Sequence, residues 1–409
     1  MNNIKRVGVI GGGQLAWMMV GAAKALGVEL GIQTPHPTDP AVAFAAFTIF
    51  APVDDSAATA ELATRCDAIA FENEFINLAA LMPLQEQGVL FRPRLEALAP
   101  LLDKYDQRCY LRDLGLPVPK FVALEERGGV GAEEQRSRGA EEQRSRGAEE
   151  NMQCPGPQSP IPFPVVLKVR RHGYDGQGTF IIKDREALET TLQRLGHTPV
   201  LLEEFIPFER ELAVIAARSS GGEMAIYPVV ETQQEEQVCR RVLVPAELDP
   251  AVTGQIEAIA HTLLNSLQAV GVFGIELFLT TAGKVLVNEI APRTHNSGHF
   301  TLDACYTSQF EQHLRAVCDL PLGNPALKCS AAVMVNLLGY EYSHNDYLAK
   351  RQQLAQLPNS HVHWYGKSES RPGRKLGHVT VLLDGATKSE LQAVAQTLES
   401  IWYGSRFVR

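Results

Sequence analysis

Apolar runs of strand length and stretches with apolar residues at helical spacing alternate through the N-terminal part of the chain. Arg6 to Ile10 reads as a short strand, Gly11-Gly12-Gly13 as a turn, and Gln14 to Leu26 as a helix stopped by Gly27. Val28 to Ile32 is the next strand, and Ala68 to Phe71 and Val89 to Phe91 predict two more. This order predicts a parallel α/β sheet of nucleotide-binding type. Leu101 to Leu116 reads as a helix closed by Gly-Leu-Pro-Val-Pro. From Phe163 the pattern turns to β, through PVVLKV, TFII, PVLLEEF, ELAVIAAR and AIYPVV, before a helix at about Thr253 to Val270 and another from Ser308 to Cys318. The tail from Cys329 carries the strand AAVMVNLLG, a polar helical stretch, the loop WYGKSESRPGRKLGHVTVLL and a last helix from Lys388, and reads as a small appended α+β domain.

Between the last two β-region helices lies the most informative stretch, GVFGIELFLTTAGKVLVNEI, an antiparallel hairpin around a Thr-Ala-Gly-Lys break. With its turn centred between Ala282 and Gly283, Glu276 faces Glu289. Opposed carboxylates in an apolar hairpin repel, so the register points to a cation between them, and Mg²⁺ suits one or two carboxylates plus phosphate oxygens. A turn shifted by one residue would instead place the two on opposite faces.

One segment fits no element. From Gly131 the octapeptide GAEEQRSR occurs, repeats from Gly139 and begins again at Gly147, ahead of a Pro-rich stretch from Cys154 to Pro164. It has no large apolar residue, so residues 127–160 are expected to be a solvated insertion, disordered or transiently helical.

Composition then narrows the class. A chain of 409 residues predicts two to four domains, and 45% hydrophobic with 21% charged residues is a globular composition. A net charge of -9 argues against a nucleic-acid binder. No run reaches membrane-spanning length, and the opening residues do not form a signal peptide. Seven cysteines without a CxxC pair fit reduced thiols in a cytoplasmic protein.

Several clusters carry candidate chemistry. Gly11 to Ala16 fits G-x-G-x-x-G/A, but Gln33 stands where a dinucleotide site wants an acid, which leaves a phosphate of another ligand at the helix start, or a plain tight turn. Lys168 ends an apolar strand before the glycine-rich segment Arg170 to Gly178, suited to a flap over phosphates or to a simple hairpin loop. Glu72 and Glu74 share a strand face and suit a cationic or hydroxyl-bearing substrate, or solvent. Arg293, His295, Asn296, Ser297 and His299 suit a small anion and the orientation of an attacking amine. Lys367, Arg371, Arg374 and Lys375 form a basic loop suited to phosphate.

GGGQL, FENE, KVRRHGYDGQG, GVFGIELF, NEIAPRTHNSGH, SQFEQHLRA and RPGRKLGH, in this order, resemble the patterns of the ATP-grasp superfamily and, within it, the N5-carboxyaminoimidazole ribonucleotide synthetases. The resemblance implies a mixed α/β and α+β multidomain fold. Its parts would be a Rossmann-like domain over residues 1–97, an ATP-grasp region over 98–328 with a flap lobe at about 116–203, and a small β-rich domain over 329–409. It implies ATP-driven carboxylation of 5-aminoimidazole ribonucleotide by bicarbonate through carboxyphosphate, with ATP and Mg²⁺ bound, in a homodimer. It also implies roles. Glu276 and Glu289 would hold Mg²⁺, while Lys104, Lys168, Tyr174, Asp175, Gly176, Gly178 and Asn288 would contact ATP with Glu203, Glu204, Phe205, Ile206 and Glu211 around its adenosine. Gln14, Leu15, Glu72, Glu74, Lys367, Arg374 and Lys375 would bind the ribonucleotide. Arg293, His295 and Asn296 would act on bicarbonate and the labile intermediate. The chain departs from the usual pattern at Ala16-Trp17, where Gly-Arg is common, and at Phe71, where Tyr is. The rival readings are another ATP-grasp ligase, such as a formate-dependent glycinamide ribonucleotide transformylase, and a catalytically silent nucleotide-binding protein.

Overall fold

The computed structural model describes residues 4–124, 161–171, 173 and 178–404. The repeat insertion and Tyr174, Asp175 and Gly176 of the expected flap lie outside the described residues. Three sheets are formed among the described residues.

The first holds β1 (Arg6–Ile10), β2 (Glu29–Thr34), β3 (Phe47–Phe50) and β4 (Ala68–Phe71), all parallel, in the order β3-β2-β1-β4. The helix Gln14–Leu26 follows β1 and ends at Gly27, whose φ of 67° is the left-handed conformation that glycine adopts without strain. The strand expected at Val89 to Phe91 is reduced to one parallel bridge, Ile69 to Phe91. Arg92 still donates its N–H to the Ile69 carbonyl, but Pro93 has none to offer and the ladder stops.

The second sheet is antiparallel, with β5 (Phe121–Leu124), β6 (Val165–Val169), β7 (Thr179–Ile182) and β8 (Val200–Glu204) in the order β5-β8-β6-β7. Before it, the helix predicted from Leu101 starts at Lys104, because Asp103 caps it by accepting the N–H groups of Tyr105 and Asp106.

The third sheet has nine strands: β9 (Phe208–Arg218), β10 (Met224–Ile226), β11 (Val230–Glu235), β12 (Val238–Val244), β13 (Gly271–Thr280), β14 (Val285–Ala291), β15 (Ala331–Leu338), β16 (Ser360–Trp364) and β17 (Lys375–Leu383). Its order is β14-β13-β9-β11-β12-β15-β17-β16, with β10 beside β9. The tail is therefore not an appended unit in its backbone pairing: β15 joins β12 with Val242 opposite Met334, and one sheet runs through both parts. Half of the predicted WYGK…VTVLL loop is strand, since KLGHVTVLL is buried through its middle and pairs on both edges. The core behind β13 is closed by the helix Pro250–Leu267, whose Ile256, Ile259, Leu263 and Leu264 cluster with Phe273, Ile275 and Leu277. Each such side chain taken from water stabilises the fold by roughly 1.5–3 kcal/mol. Asp249 caps this helix and Pro250 opens it, three residues before the predicted start at Thr253.

The β13–β14 hairpin corrects the register argument while keeping its result. The turn runs from Thr280 to Lys284, with Thr280 N–H on the Lys284 carbonyl, and the pairs are Leu279 with Val285, Phe278 with Leu286 and Leu277 with Val287. Continued unchanged, that ladder would set Glu276 against Asn288 and turn Glu289 to the other face. A β-bulge between Glu276 and Leu277 takes up Asn288 as the extra residue and restores Glu276 opposite Glu289.

Candidate active site

A cleft of about 1310 Å³ opens among the three sheets and is lined from all of them. Its wall includes Gln14, Leu15, Glu72 and Glu74 from the first; Lys168, Glu203, Glu204, Phe205 and Ile206 from the second; and Glu211, Glu276, Asn288, Glu289, Arg293, His295, Asn296, Lys367, Arg374 and Lys375 from the third and its loops. Lys104, at the start of its helix, joins them. Gly178 does not. With φ of 86° and its carbonyl 2.7 Å from the Val169 N–H, it closes the β6–β7 hairpin, and glycine is there for the backbone.

At the centre, Lys104 Nζ lies 2.6 Å from Glu289 Oε1. Burial and the adjacent charge of Glu289 push the Glu276 carboxyl up to about 7. Burial works against ionised Glu289 as well, but Lys104 overcomes it and holds that carboxyl below the usual range. Glu211 is pushed up to about 7 by burial and by Glu276. Three carboxylates with too little positive charge among them fit a divalent cation, with Glu276 and Glu289 as the pair that would hold it.

The bulge residue Asn288 is shared among its neighbours. Its carbonyl accepts from Arg108 Nη2, its Oδ1 accepts from Lys168 Nζ at 3.0 Å, and its Nδ2 lies 3.4 Å from Glu276 Oε2. Glu203 is not aimed at a ligand. It is buried between Arg108, at 2.6 Å, and Lys168, at 2.8 Å. Despite burial, those two cations bring its carboxyl down to about 2. Glu203 thus holds Lys168 at the cleft wall and opposes the burial that lowers its ammonium pKa. Arg170 reaches back to Asp103 at 2.9 Å, and its carbonyl accepts the Lys104 N–H, so both lysines start from one latched corner. Apolar Val166, Ile181, Phe205, Ile206, Phe208 and Phe278 also line the cleft, with Phe208 stacked on Phe278 at 4.7 Å. Ile181 and Phe208 stay exposed there, as in a slot awaiting a flat apolar ligand.

The glycine turn is not open to a phosphate. Glu72 takes the helix start itself: its Oε2 accepts from Gly13 N–H at 2.6 Å, and its Oε1 from Leu15 N–H at 2.9 Å and Ala16 N–H at 3.4 Å. An anion belongs at a helix N-terminus, and here the chain supplies it. Gln33 is likewise occupied, donating to the Pro52 and Asp55 carbonyls and accepting from Thr59. Glu74 does not share the task of Glu72; it pairs with Arg293 at 2.9 Å.

His295 Nε2 stands 3.5 Å from Glu276 Oε1, and its Nδ1 meets Ser297 Oγ at 2.8 Å. Gly274 makes room for it, since a Cβ there would come within 2.5 Å of the His295 Cβ. Asn296 exchanges two amide hydrogen bonds with Asn336 of β15, which ties the His295 loop to the C-terminal strands. Lys367, Arg374 and Lys375 face the cleft from the β16–β17 hairpin, whereas Arg371 is exposed outside its wall. Gly274, Asn336 and the clamping roles of Glu72 and Glu203 escape sequence reading, because each depends on a partner far along the chain.

Opposed carboxylates on a bulged hairpin, with Lys168 brought to them from a separate antiparallel lobe and Lys104 from the helix before it, beside a parallel α/β sheet, define an ATP-grasp enzyme. Family models match in the same order: the ribonucleotide synthetase preATP-grasp domain over residues 4–100, the ATP-grasp domain over 136–310, and the phosphoribosylaminoimidazole carboxylase C-terminal domain over 332–392. The N5-carboxyaminoimidazole ribonucleotide synthase of Synechococcus elongatus is 52% identical over 98% of this chain and 96% of its own. That of Synechocystis sp. is 50% identical over 97% and 98%. The crystal structure of the synthase from Aspergillus clavatus with ADP and 5-aminoimidazole ribonucleotide superposes with a TM-score of 0.83, at 28% identity over 98% of this chain and 100% of that one. The chain belongs to the N5-carboxyaminoimidazole ribonucleotide synthase family.

Proposed function

We propose that the chain uses ATP and bicarbonate to carboxylate the 5-amine of 5-aminoimidazole ribonucleotide, giving N5-carboxyaminoimidazole ribonucleotide, ADP and phosphate in purine biosynthesis. The observation that carries the reading is one cleft in which the Glu276–Glu289 pair, Lys104, Lys168, His295 and the basic Lys367–Lys375 hairpin all meet. Lys104 and Lys168 bind the phosphates of ATP, Glu204, Phe205, Ile206 and Glu211 surround its adenosine, and Asn288 fixes Lys168 against them. Bound at Glu276 and Glu289, Mg²⁺ would neutralise charge on the phosphoryl group in transfer. A bicarbonate oxygen attacks the γ-phosphorus and ADP leaves, forming carboxyphosphate. The amine then takes the carboxyl group, the C–O bond to phosphorus breaks, and phosphate departs. Arg293, oriented by Glu74, and His295, oriented by Ser297, line the place where bicarbonate and the intermediate sit, and Asn296 steadies their loop through Asn336. The basic hairpin receives the 5′-phosphate, with Gln14, Leu15 and Glu74 along the sugar, while Glu72 shapes that wall from beneath.

A homodimer in the cytoplasm fits this reading. The described cysteines are free thiols, and among the described residues no helix is long and apolar enough to cross a membrane. The test is phosphate release from ATP with bicarbonate and 5-aminoimidazole ribonucleotide. Release that requires both supports the proposal; turnover only with formate and glycinamide ribonucleotide, or none with either pair, overturns it.

A further inference from the structure

Behind the loop that carries His295, the short helix Thr301–Ala304 meets the β16–β17 ladder. Asp303 Oδ2 is 2.8 Å from His363 Nε2, and Oδ1 is 3.6 Å from His361 Nδ1. His363 and His378 are cross-strand partners whose rings stack at 4.6 Å. One ligand atom each from Asp303, His363 and His378 lies within 4.8 Å of the others. In a tetrahedral site with metal bonds of about 2.0–2.2 Å to nitrogen and oxygen the ligand atoms stand about 3.3–3.6 Å apart, so the three side chains would draw together around one ion.

A second observation points to a ligand. His378 is fully buried, its Nδ1 lies 2.8 Å from Tyr365 Oη, and its Nε2 has no hydrogen-bond partner. Such a ring, held at one nitrogen and unmatched at the other, has the arrangement of a metal-binding histidine with its outer partner in place. His299, also fully buried with an unpartnered Nε2, backs it at 5.2 Å between ring centres. His363 is partly exposed, which leaves an entry from solvent.

We propose that Asp303, His363 and His378 form a binding site for a divalent transition-metal ion, zinc in the first place, separate from the carboxylate pair of the cleft. Two imidazoles and one carboxylate suit zinc with water as fourth ligand, and are a poor set for magnesium, which prefers oxygen. On binding, His363 carries its hydrogen on Nδ1 in place of Nε2, and Nε2 and the Asp303 oxygen it had faced turn to the ion. The ion would pin the helix that follows the His295–His299 loop to the hairpin that carries Lys367, Arg374 and Lys375. Its role is a clamp between two walls of the cleft.

The test is a cobalt titration of chelator-treated protein with Mg²⁺ saturating, followed by the visible absorption of four-coordinate Co²⁺ and then by Zn²⁺ displacement. The expected result is one Co²⁺ per chain, its bands bleached by one equivalent of Zn²⁺, with affinity at least about tenfold weaker in Asp303→Asn and His363→Gln. The circular dichroism of both metal-free variants should match that of the unaltered protein. No visible bands in the unaltered protein, or bands that persist at the same affinity in both variants, would overturn the proposal.

Discussion

Replacing Glu203 with Gln tests whether the buried charge cluster is what holds Lys168 at the cleft. In the folded chain the carboxyl of Glu203 lies at about 2, against an ordinary 4.5. That lowering corresponds to about 3 kcal/mol, and the side chain is only 3% exposed, so solvent screens little of it. Independently, removing one partner of a buried ion pair costs about 3–5 kcal/mol, because the other charges stay buried. Against a typical total of about 5–15 kcal/mol, the loss is large. The sign follows from a lowered carboxylate. The stabilisation is complete above about pH 4.5 and falls away as pH drops toward 2, with a substantial part of it gone by pH 3.5. Urea unfolding at neutral pH should therefore show Glu203→Gln about 3 kcal/mol less stable, and the gap should narrow in acid. The KM for ATP should rise as well, since Lys168 without Glu203 loses its charge more readily. A difference under about 1 kcal/mol at pH 7, or one unchanged at pH 3.5, would refute this reasoning.

Other consequences are as specific. Glu72→Ala leaves the N–H groups of Gly13, Leu15 and Ala16 without their acceptor and should cost about 2 kcal/mol or more; a loss below about 0.5 kcal/mol in thermal unfolding would show that water replaces the carboxylate at no cost. Gly274→Ala should lower kcat by tenfold or more while the protein stays folded, because the new Cβ displaces His295, and unchanged kcat would remove His295 from the reaction. With Glu276 pushed up to about 7, protons compete with the cation below that pH, so the Mg²⁺ concentration giving half-maximal rate should rise as pH falls from about 8 to 6; a flat profile would separate Glu276 from the metal.

What was legible in the sequence was whatever repeats locally. The helix Gln14–Leu26 ends where Gly27 says it must, and β1 and β4 have the bounds their apolar runs suggest. The facing of Glu276 and Glu289 was also readable, though for an incomplete reason: the pairing beside the turn is one residue out of the expected register, and Asn288 restores it by bulging out. No local pattern announces the bulge, and the partners its extra residue meets, Arg108 and Lys168, lie more than a hundred residues away along the chain. Glu72 looked like a ligand-binding acid since nothing near it in sequence reveals that β4 ends beside the helix after β1. The tail looked separate because strand order cannot be read from strand spacing, and only the fold brings β15 to β12. The Asp303, His363 and His378 cluster is hidden in the same way, with its members brought together from three different elements.

If bicarbonate itself attacks ATP in this cleft, one of its oxygens must end on phosphate. With ¹⁸O-bicarbonate, 5-aminoimidazole ribonucleotide and ATP, rapid single-turnover reaction should yield phosphate carrying one ¹⁸O, because the oxygen that joined carbon to phosphorus stays with phosphorus when the carboxyl group moves to the amine. Phosphate without ¹⁸O, formed while the carboxylated product accumulates, would mean that water takes the phosphoryl group, and would contradict the account.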